Sequence, residues 1–226
     1  MSAFLPHPGR ATVVVIDPGR PGGLHLDAAE REKAARFHFE KDARHWSACR
    51  SALRRILGEC LALDPLAVPL VFGPHGKPLL APPHHGLHFN LSHCRDLAVL
   101  ALGGDGPLGI DLEAADRAPS LLGCEDAFCH PEELARLPGS PAPRAAALLE
   151  IWTAKEAGLK ALGTGMSLAP QSVALDPAGR RLTGLPELEA LRLHRLDHPA
   201  LARHVACIAL PATCDAIEFV PLDPPP

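Results

Sequence analysis

Apolar and polar positions along the chain divide it into strands and helices. ATVVVI (11–16) is a short β-branched run and predicts a buried strand. From Asp27 to about Leu63, Phe37, Trp46, Leu53, Ile56 and Leu57 recur at turn-like spacing, which predicts helix, with Asp27 able to cap its start. PHGKP (74–78) is a turn by its Pro and Gly content. In LHFNLS (87–92), Leu87, Phe89 and Leu91 share a face, the pattern of a half-buried strand. LAVLAL (97–102) is apolar throughout, as a central strand is. GGDGP (103–107) predicts a tight turn and LGIDLE (108–113) alternates, so an antiparallel hairpin is expected there. A second long helix is predicted from about Arg144 to Leu162, closed by Gly163. Short strands should follow near Ser172–Leu175 and Val205–Leu210, and the tail LDPPP should fray. This order gives an α+β (α/β) chain in two halves, 1–108 and 109–226. They should be tightly joined, because no low-complexity linker separates them.

Composition narrows the function classes. With 226 residues, 47% hydrophobic and 21% charged, the chain can bury a sizeable core. A net charge of −4 argues against a nucleic-acid footprint but leaves room for a local cationic pocket. No apolar run reaches the roughly 20 residues that span a bilayer, and the amino terminus lacks the pattern of a leader. The expectation is a soluble, cytoplasmic protein with no membrane partner. Seven irregularly spaced cysteines do not read as a disulfide framework, and Cys124 and Cys129 beside His130 lack a second pair for zinc.

The chemistry gathers in two places. In LGIDLE, Gly109, Asp111 and Glu113 point one way, so two carboxylates share a space and call for a cation or a donor between them. Oxygen ligands of this kind suit magnesium, although a polar outer face reads the same way. In EIWTAKEAGLKALG, Glu156 and Lys160 are four apart on one helix face, with Trp152 one turn before them. Gly158 in that helix marks a close approach or is merely tolerated. Lys77 in the GPHGKP turn and the pair Ser92–His93 at a strand end can meet a phosphate or satisfy a turn. No GxSxG elbow accompanies them, and the glycines at 163–165 follow a helix, unlike a phosphate loop.

In order, EREKAARFHFEKDAR (30–44), GKP (76–78), FNLSH (89–93), GIDLE (109–113) and WTAKEAGLKALGTGMSL (152–168) resemble the Sfp-type 4'-phosphopantetheinyl transferase family. The resemblance implies two similar α/β halves about a pseudo-twofold, with coenzyme A in the cleft between them. It implies Asp111, Glu113 and Glu156 as ligands of Mg2+, or of Mn2+ in its place, and Lys160 beside the coenzyme A pyrophosphate. Lys33, Lys77, Pro78, Ser92 and His93 match positions around the adenosine 3'-phosphate and its neighbours. The implied reaction transfers phosphopantetheine to a serine of an apo acyl or peptidyl carrier protein, with Glu156 as base, directly or through water. Residues 115–145 would border the carrier, and a cleft within one chain is compatible with a monomer. The competing readings are a non-catalytic coenzyme A or carrier-binding module and an unrelated magnesium-dependent phosphotransferase.

Overall fold

The computed structural model describes residues 2–20 and 23–222. In chain order its regular elements are β1 (Arg10–Ile16), α1 (Ala28–Ala35), α2 (Glu40–Leu61), β2 (Leu70–Phe72), β3 (Pro78–Leu80), β4 (His88–His93), β5 (Ala98–Gly103), β6 (Gly109–Ala114), α3 (Pro131–Leu134), α4 (Pro141–Leu162), β7 (Ala174–Leu175), β8 (Leu182–Thr183), α5 (Pro186–Glu189), β9 (Leu191–Arg195), β10 (His204–Pro211) and β11 (Ala216–Pro221). The helical stretch predicted over 27–63 is divided at 36–39. Asp27 opens α1 through a capping box: its carboxylate accepts the Glu30 amide at 2.8 Å, and the Glu30 carboxylate accepts the Asp27 amide at 3.0 Å. Gly163 closes α4 at φ 71°, as its position predicts.

Strand alternation builds the layers. Val14 and Ile16 of β1 and Ala98, Leu100 and Leu102 of β5 form one core with Cys49, Leu53, Ile56 and Leu57 of α2. The alternate residues, Ala11 and Val13 of β1 and Val99 and Ala101 of β5, pack with Ile110 and Leu112 of β6 and Ala206, Ile208 and Leu210 of β10. On its other face β10 sets Cys207 and Ala209 against Ala154, Ala157 and Ala161 of α4. The molecule is therefore a stack of α2, a sheet ordered β11-β1-β5-β4, a sheet ordered β6-β10-β9, and α4. Each half lays one 22-residue helix on the outer face of its own sheet, which is the mixed α+β plan expected. LAVLAL is apolar throughout because β5 is covered on both faces.

Two expectations change. β5 and β6 are not a hairpin: β5 pairs with β1 and β4, while β6 pairs with β10. GGDGP carries the chain from one sheet to the other, and alternation marks a strand without naming its partner. β9 and β11 have no counterpart in the sequence pattern. β11 runs parallel beside β1, so residues 216–221, assigned above to the second half, edge the first sheet. Of LDPPP, Leu222 packs against the first core and residues 223–226 lie outside the described residues.

β6 crosses α4 at Gly109, where a Cβ would overlap the carbonyl oxygen of Ala157 and the amide nitrogen of Ala161. Gly158 of α4 marks a close approach too, since a Cβ there would overlap Leu182 Cδ1.

Candidate functional site

Side chains of β4 join the halves. Asn90 Oδ1 accepts the Ile110 amide at 2.8 Å and Ser92 Oγ accepts the Leu112 amide at 3.2 Å, both residues being buried. Because β4 and β6 belong to different sheets, these bonds stand in for a backbone ladder. The Ser92 hydroxyl donates to Asp111 Oδ1 at 3.0 Å. From the last turn of α4, Lys160 Nζ donates to Asp111 Oδ1 at 2.5 Å and to Ser92 Oγ at 3.1 Å. Three elements thus position one Ser–Asp–Lys cluster.

The acids beside it are electrostatically unfinished. Asp111 is 3% exposed, and its Oδ2 is buried without a hydrogen-bond partner among the described residues. A buried carboxylate oxygen with no donor is costly, and a cation relieves it. Glu113 Oε1 accepts from Trp152 Nε1 at 3.0 Å and pairs with Arg117, whose guanidinium lies 5.4 Å from the Trp152 ring centre. That bond, together with the edge-on packing of Phe128 at 5.3 Å between ring centres, gives a tryptophan a place on this helix face. Burial raises Glu113 above the usual carboxylate range, and the Asp111 charge raises it further, while Arg117 holds it partly down. Burial likewise raises Glu156, which Lys160 partly offsets and which the charges of Asp111 and Glu113 increase. Three oxygen donors that repel one another fit a hard divalent cation. They do not close into a cage here. Among the described residues, the one group of three such side chains with ligand atoms within 4.8 Å of one another is Cys94, Asp96 and His204. Asp111 is instead held by Lys160 and Ser92, and Glu113 by Trp152 and Arg117.

Past Ser92, a cleft of about 850 Å³ is lined by Lys33, Lys41, Arg44, His45, Trp46 and His93, among others. Lys33 Nζ lies 5.2 Å from the Trp46 ring centre, and the rings of His45 and His93 are 5.0 Å apart. Burial lowers both histidines from their ordinary value; the charges of His45 and Lys160 lower His93 further, while Asp42 and Asp96 partly offset the effect at His45. The permanent positive charge of this wall therefore comes from Lys33, Lys41, Arg44 and Arg95, set among Asp17, Asp42 and Asp96, with the imidazoles left as neutral hydrogen-bonding groups. Such a wall suits phosphate.

Lys77 stands apart from the cleft. Its ammonium donates to the carbonyls of Leu108 and Ala161, each at 2.9 Å, and burial lowers its pKa to about 8. The turn at Gly76 (φ 82°) and the absence of a Cβ at Gly163, where one would stand 3.1 Å from Lys77 Cδ, let the side chain run inward. Lys77 therefore clamps the start of β6 to the end of α4, a task different from the phosphate contact that the resemblance implies. Pro78 begins β3 opposite Phe72 and does not line the cleft.

Residues 107–209 match the family model described as the 4'-phosphopantetheinyl transferase superfamily, and residues 24–103 match that of the 4'-phosphopantetheinyl transferase N-terminal region. The 4'-phosphopantetheinyl transferase AcpT of Salmonella typhimurium is 33% identical over 172 residues, covering 74% of this chain and 78% of the relative. The chain belongs to the 4'-phosphopantetheinyl transferase superfamily. The 4'-phosphopantetheinyl transferase HetI of Nostoc sp. is 36% identical over 156 residues, 67% of this chain and 66% of the relative. A phosphopantetheinyl transferase of Thraustochytrium sp. is 31% identical over 159 residues, 65% of this chain and 55% of the relative. The chain thus spans about two thirds of the length of the first of these two relatives and about half of the second.

In this member of the superfamily several site residues escape sequence reasoning. Asn90 looks like an ordinary strand residue, and only the separation of β4 and β6 into two sheets gives it a task. Arg117 lies in the 3-10 helix Ala115–Leu121 that follows β6, a short element that the apolar pattern of the sequence does not announce. Lys155 reads as a solvated lysine yet is fully buried, its Nζ 2.7 Å from Glu133 and bonded to the carbonyls of Phe128 and Pro170. Glu133 also accepts the amides of His130 and Leu175. This pair fastens the 128–133 stretch, inside the region expected to border a carrier, to α4 and β7.

Proposed function

We propose that this chain is a divalent-cation-dependent 4'-phosphopantetheinyl transferase that moves the phosphopantetheine arm of coenzyme A to a serine of an apo acyl or peptidyl carrier protein. The observation that carries the reading is the Ser92–Asp111–Lys160 cluster, with its unpartnered carboxylate oxygen, adjoining a cleft walled by Lys33, Lys41 and Arg44. Membership of the superfamily supports it. Lys33, Arg44 and His93 would receive the 3'-phosphate, and Lys160 would face the pyrophosphate. Asp111, Glu113 and Glu156 would hold magnesium, or manganese, which when bound supplies neutralisation of phosphoryl charge.

The carrier serine oxygen attacks the β-phosphorus, forming one phosphorus–oxygen bond while that to the bridging pyrophosphate oxygen breaks. The leaving group is adenosine 3',5'-bisphosphate. Glu156 would accept the serine proton, directly or through water; burial and neighbouring charge raise it in the metal-free protein, and a bound cation would lower it again. Lys160 offsets the charge gathering on the leaving oxygens. Ser92 also braces β4 against β6, so it is the orphaned Asp111 oxygen among neighbouring acids that favours catalysis over a merely binding module; a cytoplasmic, monomeric enzyme is the setting we infer.

Release of adenosine 3',5'-bisphosphate, followed chromatographically, tests this reading. Release should require coenzyme A, Mg2+ and an apo carrier with its serine intact. Release that is unaffected by a serine-to-alanine carrier, or none with any carrier despite coenzyme A binding, would contradict it.

A further inference from the structure

Outside the carboxylate cluster, one group of side chains has the composition and spacing of a metal centre. Cys94 follows β4 in the short loop that closes on β5, where its amide bonds the Leu97 carbonyl at 2.9 Å. Asp96 lies two residues on. His204 opens β10 in the other sheet, opposite Ala114. Asp96 Oδ1 is 3.2 Å from His204 Nε2 and 3.6 Å from Cys94 Sγ, and the three ligand atoms all lie within 4.8 Å of one another.

Ligands bound at zinc-like lengths around a tetrahedral ion stand about 3.3–3.8 Å apart, so these positions need only small adjustment. The His204 side chain is only 6% exposed and leans its Nε2 on Asp96. Arg203 approaches Asp96 through Oδ2, at 3.6 Å, leaving Oδ1 as the oxygen the other two ligands share. One thiol, one imidazole and one carboxylate do not suit magnesium, which takes oxygen. They suit a borderline first-row ion. We propose that Cys94, Asp96 and His204 form a site for a divalent ion of the zinc class, separate from the Asp111–Glu113–Glu156 acids and stapling the β4–β5 loop to β10.

The consequence is mechanical. Three ligands come from both halves, so an ion there ties the first sheet to the second beside the cleft, whose lining includes Cys94 and Asp96. Binding expels the Cys94 thiol proton, since the thiolate is the ligand. Nothing in this depends on the transferase reading.

The test titrates Zn2+ and Co2+ into the full, metal-stripped chain in excess Mg2+, with circular dichroism as the check on folding. One ion per chain is expected, with a thiolate-to-cobalt absorption band and a rise in Tm on adding zinc. Cys94→Ser should remove the band, and both it and His204→Gln should weaken binding at least about tenfold while abolishing the zinc-induced rise. Zinc-edge absorption spectroscopy on the unaltered chain reads the ligands without any variant: one sulfur with nitrogen and oxygen supports the site. Several sulfurs, none, no stoichiometric binding, or unchanged binding in the two folded variants would overturn it and leave a His204–Asp96 hydrogen bond.

Discussion

At Glu156 two demands conflict. The folded protein raises its pKa by burial, so it binds that proton more tightly than the unfolded chain does. The stability this gives is present at acid pH and is lost as pH rises through the raised value; at neutral pH the charge is a burden. Without divalent cation, Glu156→Gln should therefore melt above the parent at pH 7, with the gap closing towards pH 4, while transfer in Mg2+ is abolished. A variant melting below the parent at pH 7, or one still active, would contradict this. Lys77 is the opposite case. Replacing it by methionine leaves two buried carbonyls without donors, a loss of about 1–3 kcal/mol. Coenzyme A affinity should stay within about twofold by calorimetry. Weakened binding with unchanged stability would return Lys77 to the phosphates. Asp111, Ser92 and Lys160 were legible only as candidates, each open to a plainer reading as a polar strand face, a turn or a helix ion pair, until the ordered resemblance gathered them. The inward path of Lys77 was not, because a lysine in a Gly-Pro turn looks solvated until α4 is placed over it.

Among the elements, the decisive crossing is β6 on α4. At Gly109 backbone meets backbone, whereas at Gly158 the obstacle is the side chain of Leu182. Gly109→Ala should cost about 3 kcal/mol or more, or prevent folding, because backbone cannot repack. Gly158→Ala should cost less, since Leu182 can shift and alanine favours helix by up to about 1 kcal/mol. Denaturant melts that rank the two the other way would refute this view of the crossing. Sequence periodicity located both long helices, the cap at Asp27 and the strands carrying the site. It mispaired β5 with β6 because a tight Gly-rich turn between alternating strands is the mark of a hairpin. Here the hydrophobic faces are satisfied by stacking two sheets, and partner choice is a long-range matter. β11 was invisible for a like reason: it is a mostly half-exposed edge strand paired with the first strand of the chain.

For the molecule as a whole, the stack of two sheets leaves the acids of β6 and the basic wall of α1 and α2 at one seam, joined by Asn90, Ser92 and Lys160. Its two tryptophans report on the two ends. Trp46 lines the cleft beneath Lys33, and Trp152 holds Glu113. In a Trp46→Phe variant the emission of Trp152 should change when Mg2+ draws on Glu113 and return when a chelator is added. Emission indifferent to Mg2+ at concentrations that support transfer would detach Glu113 from the cation.

The most direct test of the central claim is the intact mass of apo carrier proteins after incubation with this chain, coenzyme A and Mg2+. The account predicts a gain of one phosphopantetheine on the carrier serine. Asp111→Ala should slow it at least about a hundredfold, the scale of one lost electrostatic contact in the transition state. No gain on any carrier, or an Asp111→Ala rate close to that of the parent, would contradict the account.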